Sequence, residues 1–204
     1  MSPSRLAERH ATLVLDASTV LNLLGTGRAA DVLRRLGREA VVAEAAAAEV
    51  RRDPTRPKGE VGSGPAAVQG LVAAGVLRVA ALPPDAEALF LALIGAPSPD
   101  GLGDGEAATL ALAADIGSSA VAVSDDAKAV RVGATVLASA GGVFCTLDLL
   151  AAAATDRDEA AAVVFAALKA ANMPVPLRFG TWVRSLVGDD ALRECPSFPQ
   201  RWLR

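Results

Sequence analysis

The chain has 204 residues, a net charge of −3, 52% hydrophobic residues, only 3% aromatic residues and no tyrosine. That length buries a sizeable core without disulfides or a structural metal. So few rings argue against a stacking platform for single-stranded nucleic acid. The acidic balance gives no support for a broadly basic nucleic-acid-binding surface, although a nuclease can work through a local cation patch and bound metal.

Much of the hydrophobic fraction is alanine, the best helix former, which points to closely packed helices. Cys145, Cys195 and the single His10 make no zinc cluster, and two lone cysteines fit a reducing cytoplasm. Cys145, in Gly-Val-Phe-Cys-Thr, reads as a small buried core residue. Residues 1–10 lack the apolar run of a signal peptide, and nothing reaches the roughly 18 apolar residues of a membrane helix. A cytoplasmic protein with no membrane partner is expected.

In chain order, residues 12–16 read as a short, fully buried strand, followed by Ala17, Ser18 and Thr19 as the cap of a helix that ends at Gly25-Thr-Gly27. A second helix is expected over 29–36, a strand over 40–43 and an alanine-rich helix over 44–52. Residues 53–64, with two prolines and three glycines, read as a mobile loop. A helix over 65–74, a strand over 76–82 and a helix from Pro83 to Ile94 follow, proline being tolerated in a first turn. After a turn-rich break over 95–103, a strong helix covers 104–116 and a strand 120–124. A helix over 127–140, a strand over 142–146 and a helix over 147–154 complete the alternation. The alternating order implies an α/β fold with a mainly parallel central sheet and helices on both faces. Beyond Thr155 the pattern is helical, over 158–171 and 177–187, and 196–204 reads as an irregular tail that docks on the body or on a partner. The expected organisation is one α/β domain over 1–155 with a helical extension over 156–204 packed on it.

Ligands of parallel α/β sheets bind beyond the carboxyl ends of the strands. Asp16 ends the first strand there, and Asp125 and Asp126 follow the fourth. Asp104 and Glu106 start a helix whose preceding loop can reach the same edge, and Glu49 lies on the helix after the second strand. Clustered carboxylates repel one another unless hard cations neutralise them, and oxygen-only ligands favour Mg²⁺ or Mn²⁺. Each acid also has a plainer reading. Asp16 and Asp125 suit helix caps, Glu49 suits a solvated helix face, and Asp104 and Glu106 suit the positive end of a helix dipole. For Asp104 the plainer reading is favoured.

Several segments carry a family resemblance, covering roughly residues 12–152 in order. Leu13-Val-Leu-Asp-Ala-Ser-Thr-Val-Leu-Asn22 resembles the opening strand and helix of a PIN domain. Val41-Val-Ala-Glu-Ala-Ala-Ala-Ala-Glu-Val50 resembles the segment bearing the second acid, at Glu49. Gly103-Asp-Gly-Glu-Ala-Ala-Thr-Leu-Ala-Leu-Ala113 is similar to the Gly-Glu-Ala helix, with the third acid at Glu106. Val123-Ser-Asp-Asp-Ala-Lys-Ala-Val-Arg131 resembles the Asp-Asp-x-x-Ala-x-Arg segment, with the fourth at Asp126. Thr146-Leu-Asp-Leu-Leu150 resembles a Gly-Thr-Leu-Gly-Leu-Leu stretch, with Cys145 where the family often has glycine. Val130 interrupts the usual basic run, and the core motif explains neither 53–64 nor the helical tail.

The resemblance implies a Mg²⁺- or Mn²⁺-dependent endoribonuclease, often the toxin of a toxin–antitoxin pair, with a small antitoxin protein and a second copy of the chain as partners. Asp16, Glu49, Glu106 and Asp126 are then the catalytic metal ligands. Ser18, Asp104, Asp125 and Thr146 are candidate supports. Arg51, Arg52, Arg56 and Lys58 are candidate contacts to the RNA backbone, or simply a solvated face. The alternatives are a catalytically silent PIN-like interaction module and another acid-centred phosphoester hydrolase. An aspartyl-nucleophile phosphatase usually has a second aspartate two residues after the first, where this chain has Ser18.

Overall fold

The structure is a computed structural model that describes residues 4, 6, 11–57, 60, 62–97, 99–138, 140–171 and 173–203. The elements in chain order are β1 (Thr12–Leu15), α1 (Ala17–Gly25), α2 (Ala29–Leu36), β2 (Glu39–Ala43), α3 (Glu44–Glu49), α4 (Ser63–Ala73), β3 (Arg78–Ala80) and α5 (Pro84–Ile94). They continue with α6 (Asp104–Ile116), β4 (Ala120–Val123), α7 (Ala127–Val136), β5 (Val143–Phe144), α8 (Thr146–Ala153), α9 (Arg157–Ala170), α10 (Leu177–Val187) and α11 (Asp189–Leu192). A 3-10 turn, Gln200–Leu203, closes the chain.

The five strands form one parallel sheet in the order β3-β2-β1-β4-β5. The α/β expectation holds. β1 and β4 are buried along their whole length, as strands covered on both faces must be. The chain winds from β1 outward to β3, then crosses back to β4 beside β1. With right-handed crossovers, the two directions of winding put helices on opposite faces. They also create a topological switch point between β1 and β4, where the flanking loops diverge and leave a crevice.

The core is continuous from the sheet into the C-terminal helices. Leu13, Val14, Val42 and Val121 belong to the same buried cluster as Val164, Leu168, Met173, Phe179 and Phe198. Helix α9 packs on α1 and α8, and α10 packs on α9. The tail is docked: Phe198 is buried, Trp202 meets it edge to face with ring centroids 5.7 Å apart, and the Trp202 indole lies against Gly180. Both cysteines are free and buried.

Several expected boundaries move. The helix expected over 44–52 stops at Glu49, so Arg51 and Arg52 are off it. The cause is tertiary, because Gly64 of α4 lies against this backbone. A Cβ at Gly64 would sit 2.2 Å from the Val50 carbonyl oxygen and 2.4 Å from the Arg52 nitrogen. The strand expected over 76–82 shrinks to Arg78–Ala80, and that over 142–146 to Val143–Phe144. Both are edge strands, with a partner on one side only to extend the ladder. The helix expected over 127–140 ends at Val136. Helix α11 and the final 3-10 turn were not expected, since four-residue pieces carry too little periodicity to read. Among the described residues no helix is long and apolar enough to cross a membrane.

Candidate functional site

A cleft of about 470 Å³ opens at the switch point, and Asp16, Glu49, Glu106 and Asp126 all line it, together with Ser18, Asn22, Asp125 and Arg52. Four elements deliver the acids. Asp16 follows β1, Asp126 follows β4, Glu49 ends α3 and Glu106 lies in the first turn of α6.

Asp16 is 3% exposed. Its backbone N–H donates to the Val123 carbonyl at 2.9 Å, which fixes it between the two central strands. It occupies the N-cap position of α1, yet its side chain makes no capping bond. Instead Oδ2 accepts from the Ser18 hydroxyl at 2.6 Å and the Ser124 hydroxyl at 3.1 Å. Oδ1 is buried without a hydrogen-bond partner among the described residues. A buried carboxylate oxygen left unmade is costly, and the cost is larger for a charged group.

Asp126 is the N-cap of α7: its Oδ1 accepts from the Lys128 and Ala129 backbone N–H groups at 2.7 and 2.9 Å. The cap is therefore Asp126 and not Asp125. Asp125 is locked in place. Its Oδ1 accepts from the Thr146 N–H at 3.0 Å, and its Oδ2 accepts from Asn22 Nδ2 at 2.7 Å and from the Thr146 hydroxyl. Burial pushes the Asp125 carboxyl above its usual value, against the hydrogen bonds from Thr146 and Asn22, and the Asp16 charge adds to the rise. Thr146 thus supports the site by holding Asp125.

Glu106 reaches back to accept from the Gly103 N–H at 3.2 Å. Burial raises its carboxyl, the Gly103 bond opposes this, and the charges of Asp126 and Asp16 raise it further. Lys128 lowers it, but the ammonium is engaged with the Gly101 carbonyl at 2.5 Å and so serves the α6 entry loop. Glu49 is exposed, but its Oε1 accepts from the Gly105 N–H at 2.9 Å. A Cβ at Gly105 would fall 2.7 Å from Glu49 Cδ and Oε1. The glycine before Glu106 is thus what lets the α3 acid rest on the start of α6.

The remaining predicted residues divide. Ser18 reaches Asp16, and Asp125 and Thr146 pair as described. Asp104 is exposed in the first turn of α6 and does not line the cleft. Of the described basic candidates only Arg52 lines it; Arg51 and Arg56 are exposed elsewhere. The Arg52 segment is tied down where the Asp53 N–H donates to the Ser63 hydroxyl at 3.0 Å. Lys58 and His10 lie outside the described residues.

Sequence reasoning missed three polar groups. Asn22 lies one helical turn beyond Ser18 on α1, a spacing that puts both on one face. Ser124 directly precedes the acidic pair. Asp148 is fully buried and paired with Arg178 of α10, whose guanidinium bonds both carboxylate oxygens. Asp148 also accepts from the Cys145 N–H at 3.1 Å and its thiol at 3.3 Å. Burial, with the Asp148 and Asp125 charges, drives the Cys145 thiol far above its usual value, so it is no thiolate nucleophile.

Among the described residues no three carboxylate, cysteine or histidine side chains stand close enough to form a ready-made metal cage. The donor set is nonetheless oxygen-only, and the unpartnered Asp16 oxygen is the group a hard cation would satisfy. Comparison with models of known protein families, with curated proteins and with solved structures finds no match.

Proposed function

We propose that the chain is a Mg²⁺- or Mn²⁺-dependent endoribonuclease of the PIN-like kind. The observation that carries this reading is Asp16 Oδ1, a buried carboxylate oxygen without a partner, in a side chain lining a cleft with Glu49, Glu106 and Asp126. The order of motifs gives the resemblance, and the sheet topology brings those same acids to one crevice.

Asp16, Glu49, Glu106 and Asp126 would hold the metal. A divalent ion at such a site lowers the pKa of a water and stabilises charge on a phosphoryl oxygen. The chain's own residues do the rest. Ser18 and Ser124 fix Asp16 through Oδ2 and leave Oδ1 open. The α7 backbone fixes Asp126 through Oδ1. Asn22 and Thr146 hold Asp125 and keep the β4 end rigid. Arg52 places one cation at the cleft for the backbone of the RNA. A cytoplasmic toxin paired with a small antitoxin, working as a homodimer, is the cellular role that accompanies this reading.

The test is cleavage of a mixed, labelled RNA pool with Mn²⁺ or Mg²⁺ by the wild type and by Asp16→Asn and Asp126→Asn. Metal-dependent cutting by the wild type, lost in both variants, is expected. No cutting, or cutting that survives both substitutions, overturns the proposal.

A further inference from the structure

The C-terminal extension enters the cleft. Ala171 and Pro174, from the crossing between α9 and α10, line it together with Leu21 of α1. Arg52 and Pro54 also line it, from the segment that follows α3. Met173 and Val175 are buried in the main core while Pro174 is exposed. Four residues past Pro174, Arg178 clamps Asp148, two residues from the Thr146 that holds Asp125.

We infer that this crossing is a substrate-positioning wall, and that the exposed Pro174, with Leu21 of the same cleft, meets the sugar and base faces of an unpaired RNA strand. The inference rests on the ribonuclease reading above. The acids repel phosphate except where a cation intervenes, and Arg52 takes the backbone at the cleft. The sugar and base faces need apolar surface, which the exposed Pro174 and the half-buried Leu21 supply, with Ala171 buried behind them. An A-form duplex keeps its base faces stacked inside and turns phosphates and 2′-hydroxyls outward, so it has nothing to lay on that wall. Among the described residues, those lining the cleft include no aromatic ring, so contact is by shape without stacking, and tolerance of base identity follows.

The experiment places opposite charges on the exposed wall residue, Pro174→Lys and Pro174→Asp. Steady-state cleavage of a short labelled single-stranded oligoribonucleotide of mixed sequence is measured with Mn²⁺ at low and high salt. Pro174→Lys is expected to lower KM and Pro174→Asp to raise it, each by about threefold, the scale of one exposed charge pair. Each kcat stays within about twofold, and both KM effects shrink at high salt. A merely structural role would move both variants in the same direction and would not respond to salt. Unmoved or same-direction KM values, with wild-type cutting intact, overturn the wall and leave the ribonuclease reading standing. If the wild type cuts nothing, that reading fails and the wall falls with it.

Discussion

Asp16→Asn should make the metal-free protein more stable while abolishing its response to metal. The substitution preserves shape and leaves an amide oxygen to accept from Ser18 and Ser124, as Oδ2 does now. It removes the charge from a side chain only 3% exposed whose other oxygen has no partner among the described residues. A buried polar group without a partner costs about 1–3 kcal/mol, and more when charged. The new amide N–H at that position restores part of the cost, so a net gain of about 1–2 kcal/mol is expected. In a domain of this size each kcal/mol moves Tm by about 2–4 °C, so the variant should melt roughly 2–8 °C above wild type in EDTA. Metal reverses the order. Mn²⁺ at about a hundred times Kd stabilises the folded state by about 2.7 kcal/mol, and only the wild type should take that up. The assay is calorimetric melting of both proteins in EDTA and in Mn²⁺. A variant that melts below wild type in EDTA, or that gains as much from Mn²⁺, would refute the reading of Asp16 as an acid kept open for a cation.

Gly105→Ala should leave the fold intact, because the atoms a Cβ would strike belong to the mobile end of Glu49, and alanine favours helix by up to about 1 kcal/mol. It should weaken Mn²⁺ binding by about 10–100-fold through displacement of Glu49, read by calorimetric titration; unchanged affinity would show that Glu49 is no ligand. Arg178→Met strands a fully buried Asp148 and should cost about 3 kcal/mol, the low end for a broken buried pair, since the Arg178 side chain is one-third exposed. Asp148→Asn should recover part of that loss in the Arg178→Met background, and urea unfolding of the single and double variants checks both. Glu159, bonded to Arg35 and to Thr155, is held down to about 2 from a usual 4.5. A depressed carboxylate stabilises above its unfolded pKa and loses that stabilisation as pH falls towards its folded one. The Tm difference between wild type and Glu159→Gln should therefore be constant above about pH 5 and vanish towards pH 2; a difference that persists at the acid end would deny the Arg35 pair its role.

The strands and the strongest helices were legible because their signals are local. Helices Asp104–Ile116 and Leu177–Val187 match their expected limits, one opened by acids in its first turn and the other by a proline before it. Strand order was not legible, since buried parallel strands all read as short aliphatic runs. Yet strand order is what makes the site: only because β4 lies beside β1 do Asp16 and Asp126 face one crevice. The end of α3 was misplaced because an alanine-rich run carries no stop signal, and the stop comes from Gly64, many residues away. Arg52 lines the cleft from the segment beyond that early stop. The Asp148–Arg178 pair spans 30 residues and joins two helices, a relation no periodicity reveals.

What separates the acids of this chain is how their oxygens are engaged rather than where they fall in the sequence. Asp148 is fully buried and Asp125 half-buried, and both oxygens of each are bonded, by Asn22 and Thr146 for Asp125 and by Arg178 and Cys145 for Asp148. Such carboxylates hold neighbouring backbone and side chains in place. Asp16 differs in that its two serine partners crowd onto one oxygen and leave the other unmade. Folding alone would favour the opposite arrangement, because an unpartnered buried oxygen is a standing cost. The cost makes sense if the oxygen is kept for a cation, and the neighbouring acids then follow the same logic. Burial raises the Glu106 carboxyl and the charges of Asp126 and Asp16 add to the rise, a repulsion that a cation between them would turn into attraction. Under the proposed reading, a cation held among these acids would satisfy the unpartnered Asp16 oxygen and offset the repulsion felt by Glu106.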